Sequence, residues 1–156
     1  MQYIVDWLLL AVAIAGISFT YIQIRHNAQT SRARFLADMH NRIVSDNDIK
    51  NIFQRIDWGN FEYDSNNFPN SNDERSLDRL LFTLDLMCMF YYQRKLQHED
   101  IEVFEYEIHR LNQSNGVREY FHVLNENVSR FQISRHPFAN FLRYSRERLG
   151  DDALPG

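Results

Sequence analysis

The residues with the clearest chemical potential are arginines near the C-terminus, in residues 130–148. This segment carries five arginines and a single acid, Glu147. Arginine presents a planar fork of N–H donors that fits a phosphate or a carboxylate bidentately. Neighbouring aromatic rings can stack on a base, and a helix that starts at Pro137 adds backbone N–H groups for an anion. The candidate ligand-binding residues are Arg130, Arg135, His136, Arg143, Arg146 and Arg148.

The same segment also fits binding to anionic lipid headgroups, pairing within the chain, or plain surface charge. Residues 57–107 carry twelve acids against four basic residues, so the chain has an acidic middle and a basic C-terminal end. The pattern does not choose between these alternatives and a phosphorylated ligand.

Motifs of catalysis and of metal binding are missing from the sequence. There is no Walker loop, no G-x-S-x-G, no H-E-x-x-H and no cysteine pair at metal-binding spacing. The single cysteine, Cys88, lies in the most apolar stretch, where a thiol is usually inert. We therefore expect no enzymatic activity, no metal and no cofactor.

Residues 7–24, WLLLAVAIAGISFTYIQI, carry no charge. As a helix they would be about 27 Å long, close to the ~30 Å hydrocarbon core of a bilayer. A cleaved secretory signal would need a basic start, whereas residues 1–6 contain Asp6. A buried core helix of this length without a charge is uncommon. The segment predicts a single-pass transmembrane helix.

The charges that flank this segment predict its orientation. Arg25, Arg32, Arg34 and Arg42 follow it, whereas Asp6 precedes it. Because excess Lys and Arg stay in the cytoplasm, the N-terminus should lie outside and the remainder in the cytosol. We expect an inner (cytoplasmic) membrane protein in contact with lipid.

Small residues in this helix suggest self-association. Ala11, Ala15 and Ser18 share one face, and Gly16 lies on an adjacent one. Such residues let helices approach closely in lipid, which predicts a homo-oligomer. The alternative is that small residues are simply common in such helices.

Composition indicates one packed helical domain beyond this segment. Of 156 residues, 14% are aromatic, and there are only five glycines and three prolines. A net charge of −4 argues against a duplex-DNA binder. We predict an all-α chain: residues 1–24 as tail and transmembrane helix, residues 25–150 as a cytosolic domain of about five helices, and residues 151–156 as a disordered tail.

Apolar spacing places the individual elements. The predicted order is a juxtamembrane helix at 25–43, a helix after the Ser45-Asp46 cap, a loop at 57–73 with buried aromatics, and helices near 73–92, 100–111, 117–131 and 138–149. Asp73 is the expected cap of the central helix, and Asn115-Gly116 the expected end of the 100–111 helix. Asp85, inside the apolar central helix, should face outward or pair with Arg79 or Arg94.

The layout resembles small bacterial single-pass membrane proteins of phage defence, such as membrane effectors of type III CRISPR systems. The matching features are the uncharged residues 7–24, the basic junction at 25–42 and an Arg-rich domain of similar length. The resemblance implies a cytosolic domain that binds a cyclic oligoadenylate between subunits and biases the membrane helices toward a pore or defect.

Two functions from different classes are compatible with these features. The first is an oligomeric sensor-effector of antiviral defence that binds an anionic, cyclic oligonucleotide and perturbs the membrane. The second is a membrane-tethered scaffold that recruits a protein partner without a small-molecule ligand.

Overall fold

The computed structural model describes residues 2–155, without the side chains of residues 2–6, 8, 10 and 11. The described chain is all-α, which confirms the predicted fold class, and it contains no strand. Its α-helices are α1 (Gln2–Ser45), α2 (Asn47–Asp57), α3 (Asn72–Tyr92), α4 (His98–Glu102), α5 (Glu105–Gln113), α6 (Asn115–Arg130) and α7 (Ala139–Leu149), and a 3-10 turn follows at Gly150–Asp152.

The chain divides into two compact units, and the boundary lies within α1 between Asp38 and Met39. The predicted boundary at residues 24 and 25, between a membrane segment and a cytosolic domain, stays a prediction. In the N-terminal unit the described side chains of residues 12–29 are all exposed. The C-terminal unit, from Met39 onward, contains the buried core.

None of the helices in the described part of the chain is both long enough and apolar enough to cross a membrane. The predicted span at 7–24 includes Leu8, Leu10 and Ala11, whose side chains lie outside the described residues. The transmembrane helix therefore stays a prediction.

The predicted cap at the start of α2 is confirmed. The Asp46 carboxylate accepts hydrogen bonds from the backbone N–H groups of Asp48 (3.0 Å) and Ile49 (3.3 Å). A carboxylate there accepts hydrogen bonds from backbone N–H groups that have no partner within the helix. Its negative charge also interacts favourably with the positive end of the helix dipole. At the other end, Gly59 adopts φ +72° and closes α2.

Helix α3 is the centre of the C-terminal unit, as the sequence predicted. Its apolar stripe, Leu77, Leu80, Leu81, Leu84 and Cys88, is fully buried. The cap differs from the prediction, because the Ser71 hydroxyl accepts from the Glu74 N–H (3.1 Å), while Asp73 pairs with Arg55.

Two predicted helix boundaries were wrong. The 100–111 helix is two helices, α4 and α5, separated at Val103 and Phe104. Phe104 leaves the helical conformation at ψ 7° and its ring is buried. Asn115 and Gly116 do not end a helix but begin α6, with Ser114 as cap.

The Gly116 position explains why a glycine lies inside a helix. A Cβ there would lie 2.6 Å from the backbone oxygen of Phe61 and 2.8 Å from its ring. The 58–71 connection therefore packs directly against the first turn of α6. Of the four aromatic residues of this loop, Phe61 and Phe68 are buried and Tyr63 is half-buried, whereas Trp58 is exposed.

In the C-terminal tail, where the sequence predicts disorder, the structure describes residues as far as Pro155. Leu154 is buried, and its N–H donates to the Asn112 side-chain oxygen (2.8 Å). Asn112 is itself fully buried and also donates to the Ser145 hydroxyl (3.0 Å). This buried amide therefore connects α5, α7 and the tail.

Candidate functional site

At the N-terminus of α7, where the sequence predicted backbone donors for an anion, a carboxylate of the chain accepts their hydrogen bonds. Asp85 of α3 accepts from the backbone N–H groups of Asn140 (2.8 Å) and Phe141 (2.9 Å), and from the Asn140 side-chain amide (2.9 Å). The prediction that Asp85 faces outward or pairs with Arg79 or Arg94 was therefore wrong. The partners of the buried Asp85 carboxylate are amide groups of α7 and not an arginine.

Arg79 and Arg94 have other roles. Arg79 pairs with Asp46 (2.7 Å) and Asp48 (3.3 Å) at the start of α2. Arg94 adopts the left-handed conformation, φ +57°, in the turn that closes α3.

His136 lies in the connection between α6 and α7, and it is half-buried. Its ring stacks on Phe121, with the centroids 5.7 Å apart and the planes within 15°. Its Nδ1 accepts from the Phe138 N–H (3.0 Å). Burial lowers the pKa of His136, against an opposing effect of Asp85. These contacts hold the ring against Phe121 and use its Nδ1 as an acceptor.

Arg143 is neutralised within the C-terminal unit. Its Nε lies 2.9 Å from a Glu147 carboxylate oxygen, and its guanidinium covers the Tyr92 ring at 3.9 Å. The Tyr92 hydroxyl donates to the same carboxylate (2.7 Å). This hydrogen bond and then Arg143 lower the pKa of Glu147.

Arg148 is neutralised in the same way, by the acidic middle of the chain. Its guanidinium binds Glu105 through Nε (3.1 Å) and Nη2 (2.5 Å), and Tyr144 donates to the same oxygen (3.2 Å). The hydrogen bond from Arg148 lowers the pKa of Glu105, against an opposing effect of burial. The intramolecular pairing that the sequence left open is thus observed for this residue.

The six predicted ligand residues therefore do not converge on one site. Arg146 is exposed on α7. Arg130 ends α6, and Arg135 donates to the neutral Asn140 side-chain oxygen (2.9 Å). Arg130 and Arg135 flank two exposed apolar residues, Phe131 and Ile133. We call residues 130–135 the arginine–aromatic loop.

Several surface grooves lie in the C-terminal unit. A polar groove of about 530 Å³ lies between Phe61, Arg110 and the start of α6. A more apolar groove of about 640 Å³ is lined by Ile49, Phe82, Phe138, Arg42, Arg79 and Asp78. A third, of about 260 Å³, contains Tyr144 and Arg148.

Sequence reasoning missed the apolar groove. The available signal was Phe82, a large aromatic residue off the apolar stripe of α3, and its ring is exposed. Asp78 beside it accepts from the Tyr120 hydroxyl (2.5 Å), and burial raises the pKa of this carboxyl.

Other candidate chemistry is limited in the described residues. No group of three or more His, Cys, Asp or Glu side chains there could hold a metal ion. Cys88 is fully buried, and burial raises the pKa of its thiol far above the usual value.

The predicted oligomer residues lie on α1. Ala15, Gly16 and Ser18 are exposed, whereas the Ala11 side chain is outside the described residues. The Ser18 hydroxyl donates to the Ile14 carbonyl (2.8 Å), so it is satisfied within its own helix. A Cβ on Gly16 would meet nothing within 4 Å.

Comparison with known proteins gives no relative. No protein-family model matches the chain, and no curated protein and no solved structure matches it.

Proposed function

We propose that this chain is a membrane-anchored helical protein in which residues 7–24 cross the cytoplasmic membrane once, with the N-terminus outside. The C-terminal unit would then act from the cytosolic side. The observation that carries this proposal is the all-round exposure of large apolar side chains on the N-terminal half of α1. They are Trp7, Leu9, Val12, Ile14, Ile17, Phe19, Ile22 and Ile24.

A helix that is apolar on all sides belongs in a protein interior or in lipid. Removing each such side chain from water contributes about 1.5–3 kcal/mol. Lipid would remove these side chains from water without a specific protein partner. Arg25, Arg32 and Arg34 follow the segment, on the side where headgroup phosphates would lie.

The test is co-flotation of the full chain with lipid vesicles. We expect the wild-type chain to float and to resist extraction at high pH. Ile17→Asp, which places a charge in the middle of the apolar segment, should abolish flotation. Val44→Asp, at an exposed apolar position outside the segment, is the matched control and should float normally. Flotation of Ile17→Asp at the wild-type level would contradict the proposal.

Orientation is testable with single cysteines because the native Cys88 thiol is buried. In intact cells, a membrane-impermeant maleimide should label Gln2→Cys and should not label Asn66→Cys, which lies in an exposed loop of the C-terminal unit. Labelling of both positions only after permeabilisation would show that residues 7–24 do not cross the membrane.

For the activity of the C-terminal unit, the geometry favours the tethered scaffold. The supporting observation is that Asp85 fills the N-terminus of α7, while Glu147 and Glu105 neutralise Arg143 and Arg148. These contacts occupy part of the donors that the sequence offered to a phosphorylated ligand. A scaffold predicts a partner protein that co-purifies with the chain and is unaffected by nucleotides.

The second candidate is the oligomeric sensor-effector of antiviral defence that binds an anionic, cyclic oligonucleotide. It is favoured by one observation, the exposed Arg130 and Arg135 beside the exposed Phe131 ring. Thermal unfolding of the full chain with cyclic oligoadenylates tests it. At a hundred times its dissociation constant a ligand stabilises by about 2.7 kcal/mol, and Arg135→Ala should remove the shift.

A further inference from the structure

The arginine–aromatic loop has a backbone that is fixed by the end of α6. The Ile133 N–H donates to the Val128 carbonyl (3.0 Å) and the Gln132 N–H to the Ser129 carbonyl (3.2 Å). Gln132 adopts the left-handed conformation, φ +51°. These are the hydrogen bonds and the dihedral of a Schellman motif, which usually has glycine at this position. The loop therefore presents its side chains from a defined turn.

The side chains that this turn presents are apolar and uncovered. The exposed fraction is 69% for Phe131 and 49% for Ile133. In a Schellman motif the residue at the Ile133 position commonly packs back on the helix. Here it stays half exposed beside an aromatic ring that is mostly exposed.

The charged residues that neighbour these two along the chain are all of one sign. Arg130 and Arg135 flank them, and the sequence has no acid between Glu126 and Glu147. Among the described residues, neither arginine pairs with a carboxylate. Arg143 and Arg148 of α7, in contrast, are neutralised by glutamates.

We propose that the arginine–aromatic loop is a second membrane contact, which inserts Phe131 and Ile133 among the headgroups of an anionic bilayer while Arg130 and Arg135 bind lipid phosphates. Apolar tips framed by cations have the chemistry of an interfacial lipid-binding segment. The inference rests on the proposed anchor, because tethering holds the loop at a high effective concentration near the surface.

Lipid fits this loop better than a small ligand does. Small-molecule sites are concave, whereas Phe131 and Ile133 and the two arginines of the loop are exposed at the surface. A bilayer needs no concavity, because the loop itself enters the interface.

The test uses the full chain in vesicles of phosphatidylcholine alone or mixed with phosphatidylserine. An environment-sensitive dye is attached at Ser134→Cys, an exposed loop position, while Cys88 stays buried and unlabelled. We expect the dye emission to shift to the blue only in the anionic vesicles. The control label at Asn66→Cys, in the exposed 58–71 connection, should not shift.

Two sets of substitutions separate the two parts of the contact. Phe131→Ser with Ile133→Ser should abolish the blue shift. Arg130→Gln with Arg135→Gln should weaken insertion about 30-fold, the equivalent of ~1 kcal/mol per arginine at an anionic surface, and should remove its dependence on salt.

Flotation of the same samples distinguishes failure of the loop from failure of the anchor. A chain that floats without a blue shift in anionic vesicles overturns the loop contact and leaves the anchor in place. A chain that does not float overturns both. A loop-dependent shift caused by cyclic oligoadenylate in detergent, and not by anionic lipid, would assign the loop to the nucleotide instead.

Discussion

The two units of this chain differ in whether their large apolar side chains are buried or exposed. In the C-terminal unit, Leu84 and Phe121 are fully buried. In the N-terminal unit, Ile17 and Phe19 are largely exposed although they belong to an equally regular helix. In the C-terminal unit the chain itself buries these side chains, whereas in the N-terminal unit it leaves them exposed. The difference teaches that apolar content predicts burial only when the element has neighbours to pack against.

The largest expected effect comes from removing a core side chain. Leu84→Ala should lower the free energy of unfolding by about 2–5 kcal/mol, because it leaves a cavity at the centre of α3. Ile17→Ala, with its side chain exposed, should change the unfolding of the C-terminal unit by less than about 0.5 kcal/mol. Urea unfolding of the full chain in mild detergent, followed by circular dichroism, measures both. Equal losses would show that the two units form one cooperative core.

The next effect concerns the anion site that the chain occupies itself. Asp85→Ala should destabilise the C-terminal unit by about 2–3 kcal/mol, since the buried Phe141 N–H and the part-buried Asn140 N–H lose their acceptor. Sulfate or phosphate should recover part of that loss in the variant, because the vacated helix N-terminus then attracts an anion.

Two comparisons control the Asp85 prediction. The wild-type chain should show no such anion-specific recovery, and Asp151→Ala, at an exposed position after α7, should be neutral. If phosphate stabilised the wild type and the Asp85→Ala variant equally, the anion site would lie elsewhere.

A smaller effect comes from one pair of helical glycines. Gly116→Ala should destabilise by about 1–3 kcal/mol, because the new methyl group meets the Phe61 backbone. Gly16→Ala meets nothing and should leave stability unchanged or raise it by about 0.5–1 kcal/mol through helix propensity. Thermal unfolding compares the two. A matching loss at Gly16 would reveal a packing partner there, as the predicted oligomer requires.

The parts of the fold that the sequence predicted are those that periodicity and capping encode locally. The stripe of α3 and the Asp46 cap are local patterns, and both are confirmed. The prediction of one helix at 100–111 was wrong because Phe104, which is buried in the core, departs from helical dihedrals. That departure depends on tertiary packing and not on local sequence. The prediction that Gly116 ends a helix was wrong for a similar reason, because Phe61, which approaches it closely, belongs to a distant part of the chain.

The candidate site was less predictable than the fold. Arginine content and the start of α7 were visible in the sequence, but the partner of each group was not. Asp85 reaches the α7 N-terminus across 55 residues of sequence, and Glu105 reaches Arg148 across 43. Only the tertiary fold decides which cations stay available, and it leaves Arg130 and Arg135 without a carboxylate partner among the described residues.

The smallest predicted effect is a pH-dependent one in the C-terminal unit. Glu107 has a carboxylate oxygen that is buried with no hydrogen-bond partner among the described residues. Burial raises the pKa of this carboxyl more than His40 lowers it. A raised pKa means that the folded state prefers the protonated form, so its contribution to stability is present at low pH and is lost as the pH rises through the folded pKa.

Glu107→Gln should therefore stabilise the chain at neutral pH by roughly 0.5 kcal/mol, a small value because the side chain is partly screened by solvent. The advantage should shrink as the pH falls toward the ordinary glutamate range, where the wild-type carboxyl is protonated as well. Unfolding midpoints measured from acidic to neutral pH provide the check. Glu119→Gln, at an exposed position on α6, is the matched control and should be neutral throughout. A Glu107→Gln advantage that stayed constant with pH would point to packing rather than to charge burial as its cause.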